Sequence, residues 1–230
     1  MMQSSQTNPG GAMLAAEQTP GPLAFKAGLL RLLAAHQPLD QAEHAHWQHT
    51  LEFVSRTALP AGRSAPEGHI TASAWILSPK QDAALLTHHK KLGRWLQLGG
   101  HVEEDASIEL AALREASEES GLLGLSLLDA ALFDIDVHRI PARKDEAEHL
   151  HFDCRFLLQA SSLDFVVSEE SSALAWRPLS QIDATNADAA MLRMVRKTAH
   201  WLAAQTAISP TSKPTTPSAA PVAANRKEEP

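Results

Sequence analysis

The chain has 230 residues, of which 44% are hydrophobic and 20% are charged, and its formal net charge is -7 at pH 7. These values are ordinary for a globular protein, and the acidic balance argues against a general affinity for nucleic acid. Cys154 is the single cysteine, so no intrachain disulfide forms, and no apolar run is long enough to span a membrane. The N-terminus also lacks the basic flank and apolar run of a signal peptide. We therefore expect a cytoplasmic protein that contacts neither nucleic acid nor membrane.

The N-terminal third predicts a loose end followed by two helices. Residues 1–20 are small and polar with interspersed Pro and Gly, which predicts disorder. Apolar residues at helical spacing then predict a helix over 22–35. Asp40, with Glu43 three residues later, predicts the cap of a second helix that ends near Arg56. We expect an N-terminal helical hairpin over 21–58, followed by a larger domain over 66–204.

The larger domain alternates strands with one central helix. Apolar or alternating segments predict strands over 70–77, 83–87, 95–98, 131–140, 149–158 and 173–177. A helix over 106–120 ends at Gly121, the residue type that favours a left-handed C-terminal cap. A last helix covers 187–203, and the Pro, Ser and Thr that follow predict a disordered tail over 205–230. The pattern favours an α/β fold with a mixed sheet.

The central helix carries an unusual concentration of negative charge within the stretch GGHVEEDASIELAALREASEESGL, residues 99–122. Glu115, Glu118 and Glu119 fall within an arc of roughly 100° on one face. They repel one another and lie at the negative end of the helix dipole, so they do not stabilise the helix. A solvated acidic face is one interpretation; a site for Mg²⁺ or Mn²⁺ is the other, because these cations prefer carboxylate oxygens. The side that we expect to pack on the sheet carries Leu110, Leu113 and Ala116.

This stretch resembles the Nudix box, whose pattern is Gly, five residues, Glu, seven residues, then Arg-Glu-aliphatic-any-Glu-Glu-any-Gly-aliphatic. Many fixed positions in register make a specific signal. The matching residues are Gly100, Arg114, Glu115, Glu118, Glu119, Gly121 and Leu122. Two positions depart from the pattern: Ala106 stands where the first Glu is expected, and Ala116 replaces an aliphatic residue. Glu104 or Asp105 is close enough in sequence to replace the missing carboxylate.

The resemblance extends from about residue 70 to residue 201 and includes RWLQLGGHVE before the helix and LAWRPLSQI after the last strand. It implies a Nudix-type α/β/α sandwich with a mixed sheet. It also implies hydrolysis of a phosphoanhydride bond in a nucleoside-diphosphate-linked substrate, with Mg²⁺ or Mn²⁺ as the cofactor. The expected partner is therefore a small nucleotide-type molecule.

The resemblance also assigns roles to individual residues. It implies catalytic roles for Glu115, as a metal ligand or the general base, and for Arg114, which would orient a glutamate. Glu118 and Glu119 would be metal ligands, and Gly100 would offer its carbonyl. A further carboxylate often comes from outside the box, and here the candidates are Glu169 and Glu170.

A second polar cluster lies on two neighbouring predicted strands. Its members are Asp134, Asp136 and His138 on one strand, and His149, His151, Asp153 and Arg155 on the next. In a hairpin, His138 would neighbour His151 and Asp136 would oppose Asp153. Three interpretations remain open: a solvated sheet face, a second metal site of His and Asp ligands, and a wall of the substrate pocket. In the last case, His138, His151 and the nearby Arg94 would bind substrate.

Two other functions compete with hydrolysis. Ala106 favours a non-catalytic Nudix-like module that binds nucleotides or regulates a partner. A Nudix-fold isomerase would need a catalytic cysteine, whereas Cys154 lies in the middle of a predicted strand. The oligomeric state is open, since the N-terminal helices allow packing within one chain or across a homodimer.

Overall fold

The computed structural model describes residues 21–90, 93–144, 146–168 and 171–208. The expected disorder over 1–20, and most of that over 205–230, lies outside these residues. The helices are α1 Pro22–Ala35, α2 Gln41–Arg56, α3 Ile108–Ser120 and α4 Ala189–Ile208. The strands are β1 Gly68–Leu77, β2 Ala83–His89, β3 Arg94–Leu96, β4 Leu98–His101, β5 Ser126–Leu127, β6 Asp134–Ile140, β7 His149–Gln159 and β8 Ser171–Pro178.

Strand β1 is the centre of a mixed sheet. It runs parallel to β7 along its whole length, from the pair Gly68–Leu150 to the pair Leu77–Gln159. On its other edge it pairs antiparallel with β2 and β4. Strands β5 and β6 pair with β7, and β3 and β8 pair with β2, all antiparallel. All ten residues of β1 are buried, as expected for a strand covered on both faces.

The two faces of the sheet pack against different helices. On one face, Ile70 and Ala72 of β1 share a core with residues of α1, α2 and α3. On the other, Trp75 and Leu77 pack with Met191 and Met194 of α4. The predicted α/β/α sandwich with a mixed sheet is therefore confirmed.

The N-terminal hairpin shares the main hydrophobic core. Phe53 of α2 stacks on Phe152 of β7 with ring centroids 4.1 Å apart. The predicted cap is present, because the Glu43 backbone N–H donates to Asp40 Oδ1 at 3.0 Å. The Glu43 side chain does not close the capping box on Asp40, however; it accepts from the backbone N–H of Leu39 at 2.6 Å.

Helix α3 packs on the sheet mainly through small residues and not through Leu110. The buried residues of its inner face are Ile108, Ala111, Ala112, Ala116 and Ser120. Apart from Ile108 these side chains are small, which allows a close approach to β1 and β4. Leu110, expected on that face, is instead 47% exposed.

Several predicted boundaries were wrong by a few residues. The segment predicted over 95–98 is split into β3 and β4, and α3 begins at Ile108. Helix α4 continues to Ile208, past the predicted end at 203 and into the predicted tail. The two-residue strand β5 was not predicted, because so short a segment carries no periodicity.

Candidate metal and catalytic site

Two glycines of β4 allow this strand to pack closely on both sides. Gly99 has φ +151°, and a Cβ there would lie 2.5 Å from Ser73 Cα. A Cβ at Gly100 would lie 2.6 Å from the Glu115 carboxylate carbon. Bare backbone at both positions therefore lets β4 lie against β1 on one side and receive a glutamate of α3 on the other.

Arg114 is the centre of the polar contacts around α3. Its guanidinium donates to both carboxylate oxygens of Asp105 at 3.0 and 2.9 Å. It also donates to Glu115 Oε1 at 3.1 Å, to Glu118 Oε2 at 3.0 Å and to the His101 carbonyl at 2.9 Å. Ion pairing, chiefly with Asp105, raises the pKa of Arg114 above its usual value. A permanently charged group thus holds three carboxylates around one point.

The three glutamates of the box differ in their surroundings. The Glu115 side chain is 14% exposed, and burial raises the pKa of its carboxyl in spite of the opposing effect of Arg114. The Glu118 side chain is 59% exposed. Glu119 accepts a hydrogen bond from the Gly99 N–H at 3.0 Å. Glu118 is therefore the most accessible of the three, while Glu115 and Glu119 lie against the two glycines of β4.

Asp105 supplies a carboxylate to Arg114 beside Ala106, which stands where the box pattern has a glutamate. Ala106 lies in the loop before α3 and not in its first turn. Although burial raises the pKa of Asp105, its hydrogen bonds with Arg114 lower that pKa below the usual value. Of the two replacements considered from the sequence, Asp105 makes the contact, so Arg114 keeps a carboxylate partner.

The donor set suits a hard divalent cation. It consists of the carboxylate oxygens of Glu115, Glu118 and Glu119, and burial raises the pKa of the Glu115 carboxyl. Mg²⁺ and Mn²⁺ prefer such oxygen ligands. Glu169 and Glu170, the proposed additional carboxylates, lie outside the described residues.

A groove of about 600 Å³ opens beside this site, between the N-terminal end of α1 and the loop that precedes α3. Phe25, Leu59 and Val102 contribute apolar surface to it, and Arg63 and Asp105 contribute charge. Its volume is within the usual range for pockets that bind small molecules.

The second polar cluster has the predicted register but a different character. His138 pairs with His151 and Asp136 with Asp153 across β6 and β7. Asp153 is buried and accepts from Thr71 at 3.1 Å, from Ser73 at 2.7 Å and from Arg155 Nε at 2.8 Å. The interpretation as a solvated sheet face is therefore wrong for the buried residues of this cluster, and the Asp153 carboxylate already accepts hydrogen bonds from three protein donors. The mixed His and Asp metal site gains no support from these contacts.

The outer half of the cluster gathers imidazoles that the sequence left scattered. The His69 ring lies 4.8 Å from that of His151 and 5.1 Å from those of His149 and His101. Burial, together with neighbouring imidazoles, lowers the pKa of His69 to about 4 and that of His151 to about 3. Sequence reasoning missed His69 and His101, because their proximity to the cluster depends on the pairing of β1 with β7 and with β4, which are distant in sequence.

The remaining proposed substrate-binding residues are more peripheral. His138 is exposed, and its Nδ1 lies 3.2 Å from Asp136 Oδ2. Arg94 is exposed at the first position of β3, where it pairs with His89. Cys154 is fully buried in the middle of β7, and burial raises the pKa of its thiol, which does not suit a nucleophile.

Comparison with known proteins agrees with this architecture. The family model described as the NUDIX domain matches residues 67–198. The chain belongs to the Nudix family. A curated relative, the "Probable DHNTP pyrophosphohydrolase" of Lactococcus lactis subsp. cremoris, is 31% identical over 111 residues; the match spans 47% of this chain and 64% of the relative.

Solved structures with a similar fold include an Ap4A hydrolase binary complex from C. elegans, with 20% identity and a TM-score of 0.48 over 59% of this chain and 98% of that one. Another is a NUDIX family hydrolase from Clostridium perfringens, with 27% identity and a TM-score of 0.44 over 59% and 99%. Among the described residues, none of the helices combines the length and apolar character that crossing a membrane requires.

Proposed function

We propose that the protein is a metal-dependent hydrolase that cleaves a phosphoanhydride bond in a nucleoside-diphosphate-linked substrate. The observation that carries this proposal is the grouping of three glutamates of α3 beside β4: Glu115 and Glu118 accept from Arg114, and Glu119 accepts from the Gly99 N–H. The membership of the Nudix family and the name of the L. lactis relative, a pyrophosphohydrolase, support the same class of reaction.

The metal would be held by Glu118 and Glu119, with Glu115 and the Gly100 carbonyl as further candidate ligands. Mg²⁺ or Mn²⁺ bound there would stabilise the negative charge that develops on the phosphoryl oxygens. The protein's part is to fix these oxygens in place, which Arg114 does for Glu118 and the Gly99 N–H does for Glu119.

Glu115 has the properties of the general base. Burial raises its pKa, and a carboxylate with a raised pKa accepts a proton more readily near neutral pH. In this role Glu115 takes a proton from the water that attacks phosphorus, while the phosphoanhydride P–O bond breaks. The products are a nucleoside monophosphate and a phosphorylated remainder. Arg114, at 3.1 Å from Glu115 Oε1, keeps the carboxylate oriented as a positioning residue.

The alternative of a non-catalytic module rested on Ala106. Because Asp105 pairs with Arg114 through both of its oxygens, the missing glutamate leaves no unpaired guanidinium. We therefore favour the hydrolase.

The test is phosphate or nucleotide release from a panel of nucleoside triphosphates, nucleotide sugars, dinucleotides and DHNTP, each with Mg²⁺ or Mn²⁺. We expect Glu118→Gln and Glu119→Gln to lower kcat by at least a hundredfold, because each removes a charged ligand but keeps its shape. Glu109→Gln, at the start of the same helix, is the matched control and should retain activity. Full turnover in excess chelator, or in both ligand variants, would contradict the proposal.

A further inference from the structure

We propose that His69, His149 and His151 form a second metal site, which takes a divalent transition metal of the Zn²⁺ type and is separate from the glutamates of α3. One ligand nitrogen from each of these residues lies within 4.8 Å of the others. In a tetrahedral Zn²⁺ site with Zn–N bonds of about 2.0–2.1 Å, ligand nitrogens are about 3.3 Å apart. Small side-chain rotations would therefore bring the three nitrogens onto one ion.

The strand register places these imidazoles together. His69 of β1 is the direct parallel partner of His151 of β7. His149 lies two residues before His151, so its side chain projects from the same face of the sheet. Three ligands from two adjacent, hydrogen-bonded strands form a preorganised set, since the backbone already fixes their spacing.

Two of the three histidines have a buried ring nitrogen without a hydrogen-bond partner among the described residues. His69 is 2% and His149 is 9% exposed, and the Nε2 atom of each is buried with no hydrogen-bond partner in the part of the chain that the structure describes. Buried polar atoms are normally paired, and such exceptions call for an explanation such as a bound ion. A metal ion would satisfy both atoms at once.

The second nitrogen of His149 sets the tautomer that ligation needs. Its Nδ1 is 2.9 Å from the Ala147 carbonyl, which can only accept, so Nδ1 carries the proton. In the neutral ring, Nε2 then holds a free lone pair. A carbonyl that receives the other ring N–H is the usual support of a metal-binding histidine.

A fourth ligand is available beside His149. Glu146, whose side chain is 48% exposed, places Oε1 at 3.6 Å from His149 Nε2 and could complete a tetrahedral set, as could water. His101 borders the group, with its ring 5.1 Å from that of His69.

The site is separate from the box in chemistry and in position. Imidazole nitrogens suit Zn²⁺, whereas carboxylate oxygens suit Mg²⁺ and Mn²⁺. Ala72 of β1 faces the core that includes α3 and pairs with Gly100, which contacts Glu115. His69 differs from Ala72 by an odd number of positions in the same strand, so its side chain points to the opposite face.

The experiment measures Zn²⁺ bound to the full chain after chelator treatment, by elemental analysis and by titration with Co²⁺ as a spectroscopic probe. We expect one Zn²⁺ per wild-type chain and a visible Co²⁺ absorption band. His69→Gln and His149→Gln should each weaken binding at least tenfold. His200→Gln, an exposed histidine of α4, is the control and should bind like the wild type.

A Glu118→Gln/Glu119→Gln double variant separates the two sites, because it should still bind Zn²⁺. Loss of Zn²⁺ in that variant, wild-type binding in both histidine variants, or no binding by the wild type would each overturn the proposal. Melting temperatures without metal check that the variants fold. If either histidine variant fails to fold, His151→Gln replaces it in the binding measurement. Zn²⁺ should raise the melting temperature of the wild type by several degrees and raise that of His149→Gln by clearly less. Failure of hydrolysis would not affect these readouts.

Discussion

Arg114 compensates part of the negative charge of α3. The repulsion among the glutamates favours binding of a cation, and the Arg114 guanidinium already offsets part of that repulsion through its hydrogen bonds to Glu115 and Glu118. Glu119 is instead stabilised by the Gly99 N–H. The carboxylates are therefore preorganised before a metal binds, which favours a site that needs little rearrangement to bind one.

At the residue scale, we expect Asp105→Asn to lower kcat and Ala106→Glu to change it twofold or less. The Asn side chain loses the charge-assisted pairing with Arg114, and hydrogen bonds to charged groups are worth about 1.5–3 kcal/mol, or roughly ten- to a hundredfold in rate if the whole effect reaches the transition state. Ala106→Glu adds a carboxylate where Arg114 already has one.

The measurement is kcat and KM as a function of Mg²⁺ concentration for both variants. A positioning role for Asp105 predicts a lower kcat with a nearly unchanged KM. A hundredfold gain of activity in Ala106→Glu would mean that the natural protein is impaired, and would favour the non-catalytic module.

At the scale of elements, local signals in the sequence predicted local structure well. The cap at Asp40 and the C-terminal stop of α3 at Gly121, with φ 64°, both follow from side-chain and backbone chemistry within a few residues. Helix α3 and its glutamates could be predicted from the sequence for the same reason. Nothing local encodes the pairing of His69 with His151, because it joins two strands that are distant in sequence. The exposure of Leu110 likewise depends on how the alanines of α3 meet the sheet.

The approach of α3 to β4 leads to a prediction for Gly100→Ala. The added Cβ would lie 2.6 Å from the Glu115 carboxylate carbon, so that carboxylate has to move. We expect kcat to fall by at least a hundredfold, with a small change in melting temperature because Gly100 is only half-buried near the end of β4.

Gly28→Ala serves as the control, because a Cβ there has a single neighbour, an Arg31 side-chain nitrogen at 3.7 Å, and alanine is the better helix former. It should keep full activity and raise stability slightly. An active Gly100→Ala enzyme would show that the position of Glu115 is not critical.

On the scale of the whole molecule, a buried ionic network joins the N-terminal hairpin to the rest of the fold. Glu43 of α2 is fully buried, and its carboxylate accepts a hydrogen bond from the Lys197 ammonium of α4. Its Oε1 also lies 2.8 Å from His36 Nε2. Arg193 of α4 donates to both oxygens of Asp134 at 2.7 and 2.9 Å. Helices on opposite faces of the sheet are thus connected through charged groups at its edge. The hairpin is therefore an integral part of this fold, and the domain boundary expected between residues 58 and 66 does not separate two cores.

We expect Glu43→Gln to lower the free energy of unfolding by about 3–5 kcal/mol at pH 7, because it leaves buried cations without their partner. Glu52→Gln, on the exposed side of the same helix, should change it by less than about 0.5 kcal/mol.

Burial alone would raise the pKa of Glu43, but hydrogen bonds with His36, Lys197 and the Leu39 backbone lower it from 4.5 to about 2. Its contribution to stability is therefore complete above pH 4.5 and is lost as the pH falls toward 2. Urea unfolding of the wild type and both variants at pH 7 and pH 3 checks this, and the difference between wild type and Glu43→Gln should narrow at the lower pH. A difference that stays constant between the two pH values would mean that the buried Glu43 is not ionised in the folded protein.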